Sequence, residues 1–212
     1  MAEVVLFADE HMLVLDKPAG LLSVPGRGDD KQDCLSARVQ RRYADALIVH
    51  RLDMATSGLM VFARSLAAQR SLNDAFAHRA VTKRYIAVVD GHLAQAPDTW
   101  GVIDLPIIVD WPNRPRRIID QQSGKPSVTR WRALSHSTDQ DTTRVELEPV
   151  TGRSHQLRVH LLALGHAILG DTLYGSAHIQ AAADRLLLHA CSLELSHPVT
   201  GRTMNFASTA LF

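Results

Sequence analysis

Asp53 stands in "VHRLDMATSGLMVFAR" (Val49 to Arg64), with His50 and Arg51 just before it and Thr56, Ser57 and Gly58 just after. A charged group where the chain turns apolar is either a turn residue or a reacting one. Loop aspartates usually close turns or cap helices. Here the small residues that follow can let another backbone or a ligand come close. An ionised carboxylate at the edge of a buried strand also needs a partner, because an unpaired buried charge is very costly. "TGRSHQLRVH" (Thr151 to His160) offers one in Arg153, whose planar fork can hold a carboxylate in two bonds and keep it ionised. The plainer role for Arg153 is to bind a loop carbonyl or a phosphate, and the sequence leaves its pairing with Asp53 open. Tyr85, in "TKRYIAVVDG", is the third candidate. Strand tyrosines are more often core or sheet surface, yet an aromatic directly after Lys83 and Arg84 suits stacking on a base beside a phosphate.

Other chemistries find less support. His155 and His160 are five apart, not the four that place two ligands on one helical face, with no glutamate between them. The remaining histidines are scattered, so no metal site is expected. "PGRGDD" matches neither G-x-G-x-x-G nor G-K-[ST], which leaves a nucleotide cofactor without support. No G-x-S-x-G is present, and Cys34 and Cys191 are far apart, as in a reducing cytoplasm.

The chain has 212 residues, a net charge of +1, 46% apolar and 21% charged residues, the balance of a soluble globular protein. No run approaches the roughly 20 apolar residues of a membrane span, and no secretory signal is expected from the first residues. The cations are 19 Arg against 4 Lys, and arginine matches phosphate and stacks on bases as lysine cannot. They cluster at Arg38, Arg41 and Arg42, at Arg79, Lys83 and Arg84, and at Arg114, Arg116 and Arg117. Any one cluster is best read as a solvated face; three together make a basic surface worth testing.

The elements that must position these groups follow from pattern. "VVLFADEHMLVLDKP" predicts a hairpin about Asp9 to His11. Asp33 is expected to cap a helix through about Tyr43. Leu59 to Ala63 reads as a buried strand. Ser65 is expected to cap a helix whose stripe is Ala68, Leu72, Ala75 and Phe76. "RYIAVVDGH" is a strand ending in a glycine turn. "DLPIIVDWPNRPRRIIDQQSGKPSVTRW", with four prolines, predicts strands joined by long loops. "TRVELEPV" alternates as a strand does. Residues 154–164 predict a helix with Leu157, Leu161 and Leu164 on one face and Gly165 as its stop. The tail predicts two or three strands with a turn at Pro198 to Gly201. The fold expected is a single α+β domain over 1–212, with a mixed, mainly antiparallel sheet flanked by helices and loops.

Ordered motifs along nearly the whole chain resemble those of the RluA-type pseudouridine synthases. They are "LDKPAGLLSVPG" (Leu15 to Gly26), "HRLDMATSG" (His50 to Gly58), "KRYIAVVDG" (Lys83 to Gly91), "TGRSHQLRVHLLALGHAILGDTLYG" (Thr151 to Gly175) and "LLLHA" (Leu186 to Ala190). The one visible departure is Ala167, where the family commonly has proline. The resemblance implies a pseudouridine-synthase-like fold without a separate N-terminal RNA-binding module. It implies that Asp53 attacks a flipped uridine, that Tyr85 stacks on the base and helps remove the C5 proton, and that Arg153 pairs with Asp53. Arg51 would fill the place the uridine leaves. His50, Thr56, Lys83, Arg114 and Arg116 would join it at the RNA, with a structural hydrogen bond to the loop as the default for His50.

No cofactor or metal is implied. The partner is RNA, and the compact length and "DLPIIVDWPNRPRR" look most like a member that modifies both a tRNA anticodon stem-loop and a large-subunit rRNA hairpin. A cytoplasmic monomer is expected. These roles suit the chemistry: a carboxylate held by arginine stays ionised near neutral pH, and loop uridines are cheaper to extrude than paired ones. Two other readings are an RNA-binding scaffold without chemistry and a carboxylate-dependent nucleoside or glycoside hydrolase, which would want a second acid beside Asp53.

Overall fold

A computed structural model describes residues 4–94 and 99–212. In chain order these form β1 (Val4–Ala8), β2 (Met12–Lys17), α1 (Leu35–Arg42), β3 (Leu47–Ile48), β4 (Ser57–Ala63), α2 (Leu66–Ala77), β5 (Thr82–Asp90) and β6 (Gly101–Asp104). There follow β7 (Ile107–Val109), β8 (Arg117–Ile119), β9 (Val128–Ser137), β10 (Thr142–Pro149), α3 (Gln156–Ala163), α4 (Ala177–Ala181), β11 (Leu188–Ser196) and β12 (Thr203–Ala207). A three-residue 3-10 turn at Asp29–Lys31 precedes α1. The chain divides into two compact units, one running to Lys83 and resuming over His189–Leu211, the other Arg84–Leu188 with Phe212.

In the first unit β4 is the axis. All seven of its residues are buried; the apolar run predicts this for Leu59 to Ala63, and the strand begins two residues earlier, at Ser57, where Ser57 and Gly58 pair with β11. It lies antiparallel to β2, from Met12 opposite Ala63 to Lys17 opposite Gly58, and antiparallel to β3. With β11 it pairs in parallel, His189 opposite Ser57 and Ala190 opposite Gly58. β1 adds to β2, and β12 to β11, both antiparallel. The β1–β2 turn is closed by Asp9, whose carboxylate accepts from the backbone N–H groups of His11 and Met12, each at 2.8 Å. Met12, Val14, Leu59, Val61 and Ala63 pack against Ala68 and Leu72 of α2, with Ala75 and Phe76 at the margin. The expected helical stripe thus faces this sheet. Ser65 caps α2 as expected, its hydroxyl accepting from Ala68 N at 3.1 Å.

The cap of α1 differs from expectation. Cys34 takes the position, its Sγ accepting from Ala37 N at 3.5 Å, while Asp33 holds Arg38 in two bonds of 2.8 and 2.7 Å. The cause is a tie further back. Leu35 N donates to Leu22 O at 2.7 Å and Cys34 forms a bridge with Leu22, so Cys34 stays extended and the helix begins one residue later.

In the second unit β5, β10, β9 and β6 lie in that order, antiparallel throughout. β7 and β8 form the hairpin that carries the proline-rich stretch. Together the two units show the mixed, mainly antiparallel α+β arrangement that the pattern predicts. α3 is shorter than the predicted 154–164, because His155 adopts a left-handed φ of 57° and helical geometry begins only at Gln156. Leu157 and Leu161 are buried as expected, but Leu164 caps the helix and lies at the surface. Gly165, at φ 86°, ends the helix as expected. The tail supplies two strands, β11 and β12, and the short α4 was not foreseen.

Candidate active site

The loop that bears Asp53 is anchored on either side. Leu52 is buried; its N–H donates to Ser23 Oγ at 3.1 Å and its carbonyl accepts from the same hydroxyl at 2.7 Å. After the loop, Thr56 N donates to Asp53 O at 3.0 Å and closes a turn that leads into β4. Between the anchors Arg51 is exposed, Asp53 half-buried and Met54 exposed. A carboxylate at this level can face solvent and substrate while its backbone is held.

The small residues after Asp53 face inward. Thr56 is 3% exposed and Ser57 is buried. Gly58 has φ 112°, and a Cβ there would lie 2.3 Å from Ala190 O. Of the two approaches that small residues allow here, another backbone or a ligand, Gly58 serves the backbone of β11.

Lys17 is a residue the motif reading passed over. It is 0% exposed, and its ammonium donates to three backbone carbonyls: Pro18 at 3.0 Å, Leu21 at 2.8 Å and Met54 at 3.1 Å. Burial pulls its pKa down to about 8, against the opposing pull of the Asp53 and Asp16 carboxylates. A cation sunk at the end of an apolar strand, before a Pro-Ala-Gly turn, needs such acceptors. That pattern was the available signal.

His50 lies behind β4. Its Nε2 accepts from Val61 N at 3.0 Å, so the expected hydrogen bond goes to the strand, not the loop. The ring stacks on Phe76 with centroids 4.6 Å apart. Desolvation, helped by the Lys83 cation, pushes the imidazole pKa down to about 3. Lys83 Nζ lies 5.8 Å from the centroid of the Phe76 ring, and burial lowers its pKa. Asp53, Arg51, His50, Thr56 and Lys83 therefore all belong to the first unit.

Tyr85, Arg153, Arg114 and Arg116 belong to the second. Tyr85 is half-buried on β5, opposite Leu147. Its neighbour Arg84 is occupied: it bridges Glu146 and Glu148, each at 3.2 Å, and lies over Trp100. The cluster Arg79, Lys83 and Arg84 is thus an exposed, a half-buried and a paired cation. Arg153 is exposed on the turn before α3. Its N–H donates to Gln156 Oε1 at 3.0 Å and its Nε reaches Pro126 O at 3.4 Å. The Gln156 amide also accepts from Thr151 Oγ1 at 2.7 Å and donates to Val128 O and Thr129 Oγ1, each at 2.9 Å, which locks the turn under Arg153.

Arg114 and Arg116 are exposed between β7 and β8; Arg114 lies over Trp111 at 4.5 Å and Arg116 over Tyr174 at 5.5 Å. Tyr174 joins this hairpin to the Arg153 turn, its oxygen accepting from Arg117 N at 2.8 Å and sharing a 2.7 Å hydrogen bond with His155 Nδ1. Arg158 and Asp171 form a buried two-bond pair beneath, at 2.8 and 2.5 Å. Among the described residues no group of three or more His, Cys, Asp or Glu is placed to hold a metal ion. His160 bonds Thr129 Oγ1 and Leu105 O instead. No described helix is long and apolar enough to cross a membrane.

Comparison with known proteins places this arrangement. A family model described as RNA pseudouridylate synthase matches residues 11–163. The chain is 50% identical over 209 residues to the dual-specificity RNA pseudouridine synthase RluA of Escherichia coli strain K12, covering 99% of this chain and 94% of that protein. It is 50% identical to RluA of Yersinia pestis, covering 99% of this chain and all (100%) of that protein. RluA of Haemophilus influenzae is 46% identical over 208 residues, with 98% and 93% covered. Among solved structures, human RNA pseudouridylate synthase domain containing 1 superposes with a TM-score of 0.80 at 29% identity, over 98% of this chain and 83% of that one. With motifs in order and a fold shared over nearly its full length, the chain belongs to the RluA-type pseudouridine synthases, isomerases that act on RNA.

Proposed function

We propose that this enzyme converts a uridine to pseudouridine in two structured RNAs, a tRNA anticodon loop and a hairpin loop of large-subunit rRNA, with Asp53 as the reacting carboxylate. The observation that carries the catalytic part is the loop itself. Asp53 is half-buried on a turn held by Leu52 and Thr56, as a group must be that meets a substrate without moving. The dual substrate rests on the relatives, which are named for dual specificity and match across the chain.

In this reading the uridine leaves its stack and enters the site, at a cost of a few kcal/mol that RNA contacts offset. Asp53 attacks the uridine as the bond between the sugar C1′ and N1 breaks, the uracil turns, and Asp53 is released as the bond from C1′ to C5 forms. The proton leaves C5 with the help of Tyr85, and N1 gains one, so atoms balance and no cofactor or metal is required. Arg153 is assigned as the guanidinium partner of the reacting carboxylate. Arg51 fills the stack after the uridine has left. Arg114 and Arg116 reach phosphates from the β7–β8 hairpin, and Lys83 joins them at the RNA, whereas Thr56, turned inward, and His50, bound to Val61 N and stacked on Phe76, support the loop from within instead of touching RNA as the motif implied. Both units act as one catalytic domain, as a cytoplasmic monomer.

The test is direct. An anticodon stem-loop incubated with the protein should yield pseudouridine, detected by base-specific chemical labelling, and Asp53→Asn should abolish it. Binding without conversion would indicate a scaffold, free uracil a hydrolase. Full-rate conversion by Asp53→Asn would remove the carboxylate from the mechanism.

A further inference from the structure

A continuous line of hydrogen bonds runs through the first unit beside the Asp53 loop. Ser57 Oγ lies 2.9 Å from His189 Nδ1, and His189 Nε2 lies 2.9 Å from Ser208 Oγ. The Ser208 hydroxyl donates to Asp16 Oδ2. Ser57 and His189 are both buried. Neither polar group serves a role described so far, and apolar packing at the same place would not require every partner to be satisfied.

The direction of the line follows from its end. A carboxylate can only accept, so Ser208 gives its proton to Asp16. The Ser208 oxygen then takes the proton on His189 Nε2, which in the neutral imidazole leaves Nδ1 as an acceptor. Ser57 must donate to it. One carboxylate therefore sets the histidine tautomer and the rotor of a hydroxyl four residues after Asp53.

Both ends of the line adjoin residues that hold the loop. Ser57 opens β4 directly after Thr56, whose N–H closes the turn on Asp53 O. Asp16 adjoins Lys17, whose ammonium holds Met54 O, the next carbonyl after Asp53. Residues 16 and 17 of β2 thus grip the loop twice, once through Lys17 and once through Ser208, His189 and Ser57. A sideways shift of Asp53 has to break one grip or the other. We infer that Ser57, His189, Ser208 and Asp16 are positioning residues that fix the loop carrying Asp53 for uridine isomerisation. This rests on the reading of Asp53 as the reacting group.

Ser208 is the residue to test, because it is only partly buried and lies just past the end of β12. Ser208→Ala should lower kcat for the stem-loop by roughly tenfold or more, as small misplacements of a reacting group do, while KM stays unchanged and the protein remains fully folded at the assay temperature. Ser208→Thr, which keeps the hydroxyl, should restore most of the loss. His189→Gln should show the same split between kcat and KM. Wild-type kcat in Ser208→Ala would overturn the inference. So would a loss carried by KM, or a fall in thermal midpoint that parallels the fall in kcat and that Ser208→Thr does not repair. Asp53→Asn, run in the same series, separates the two questions. If it keeps full activity the assignment of Asp53 fails, whereas loss of its activity beside an unaffected Ser208→Ala sinks only the positioning line.

Discussion

The ammonium of Lys17 lies 3.1 Å from the carbonyl oxygen of Met54, one residue past Asp53. Lys17 stands within the first motif and Asp53 within the second, 36 positions apart in sequence. The contact makes the first motif a brace for the second. It also explains why a fully buried cation is tolerated at the end of an apolar strand, since three carbonyls receive its protons.

Lys17→Met keeps the length and apolar stem but leaves those three carbonyls without a donor. Unsatisfied buried acceptors cost about 1–3 kcal/mol each before relaxation, so the midpoint of denaturant unfolding should fall clearly. Conversion of the stem-loop should fall further than stability accounts for, because Met54 O is freed next to Asp53. Measuring both on one preparation checks this, and a variant with wild-type stability would refute the brace.

His50 ties part of the acid stability to a single ring. Its folded pKa, about 3, is below the ordinary 6.5, so between these values the unfolded chain binds the extra proton. Stability contributed by His50 is complete above pH 6.5 and is lost as pH falls toward 3, with a slope of at most about 1.4 kcal/mol per pH unit. The hydrogen bond argues the same way, since protonated Nε2 cannot accept from Val61 N. The stability difference between the wild type and His50→Gln should therefore shrink as pH falls through this window. A difference that stays constant with pH would show that His50 does not titrate on unfolding.

Arg51 should separate function from folding. It is exposed, and exposed substitutions usually change stability by no more than about 0.5 kcal/mol. Arg51→Ala should leave the thermal midpoint nearly unchanged while reducing conversion of a folded stem-loop by at least about tenfold, the loss expected when an extruded base is no longer replaced in its stack. Matching losses in midpoint and conversion would make it a structural arginine.

Much of this protein is written in local pattern. The five buried residues Leu59 to Ala63 of β4, the Ser65 cap and the stripe on α2 follow from the apolar run, side-chain periodicity and short-range hydrogen bonding, which a linear reading registers. So do the Gly165 stop and the hairpin closed at Asp9. The motifs around Asp53, Tyr85 and Arg153 announce the family because each is contiguous. What the chain folded over itself decided is different in kind. Cys34 rather than Asp33 caps α1 because Leu22, far back, holds Cys34 extended. His155 breaks the start of α3 where a helical period alone would continue it. Gly58 is required by the backbone of Ala190, a strand 132 positions away. The same holds for the partners of single polar groups: Lys17 with Met54, His50 with Val61, and Ser57 with His189, Ser208 and Asp16. A buried polar side chain must find a donor or acceptor somewhere, but residue type states only the need, and the partner is chosen by whichever strand packing brings within 3 Å or so.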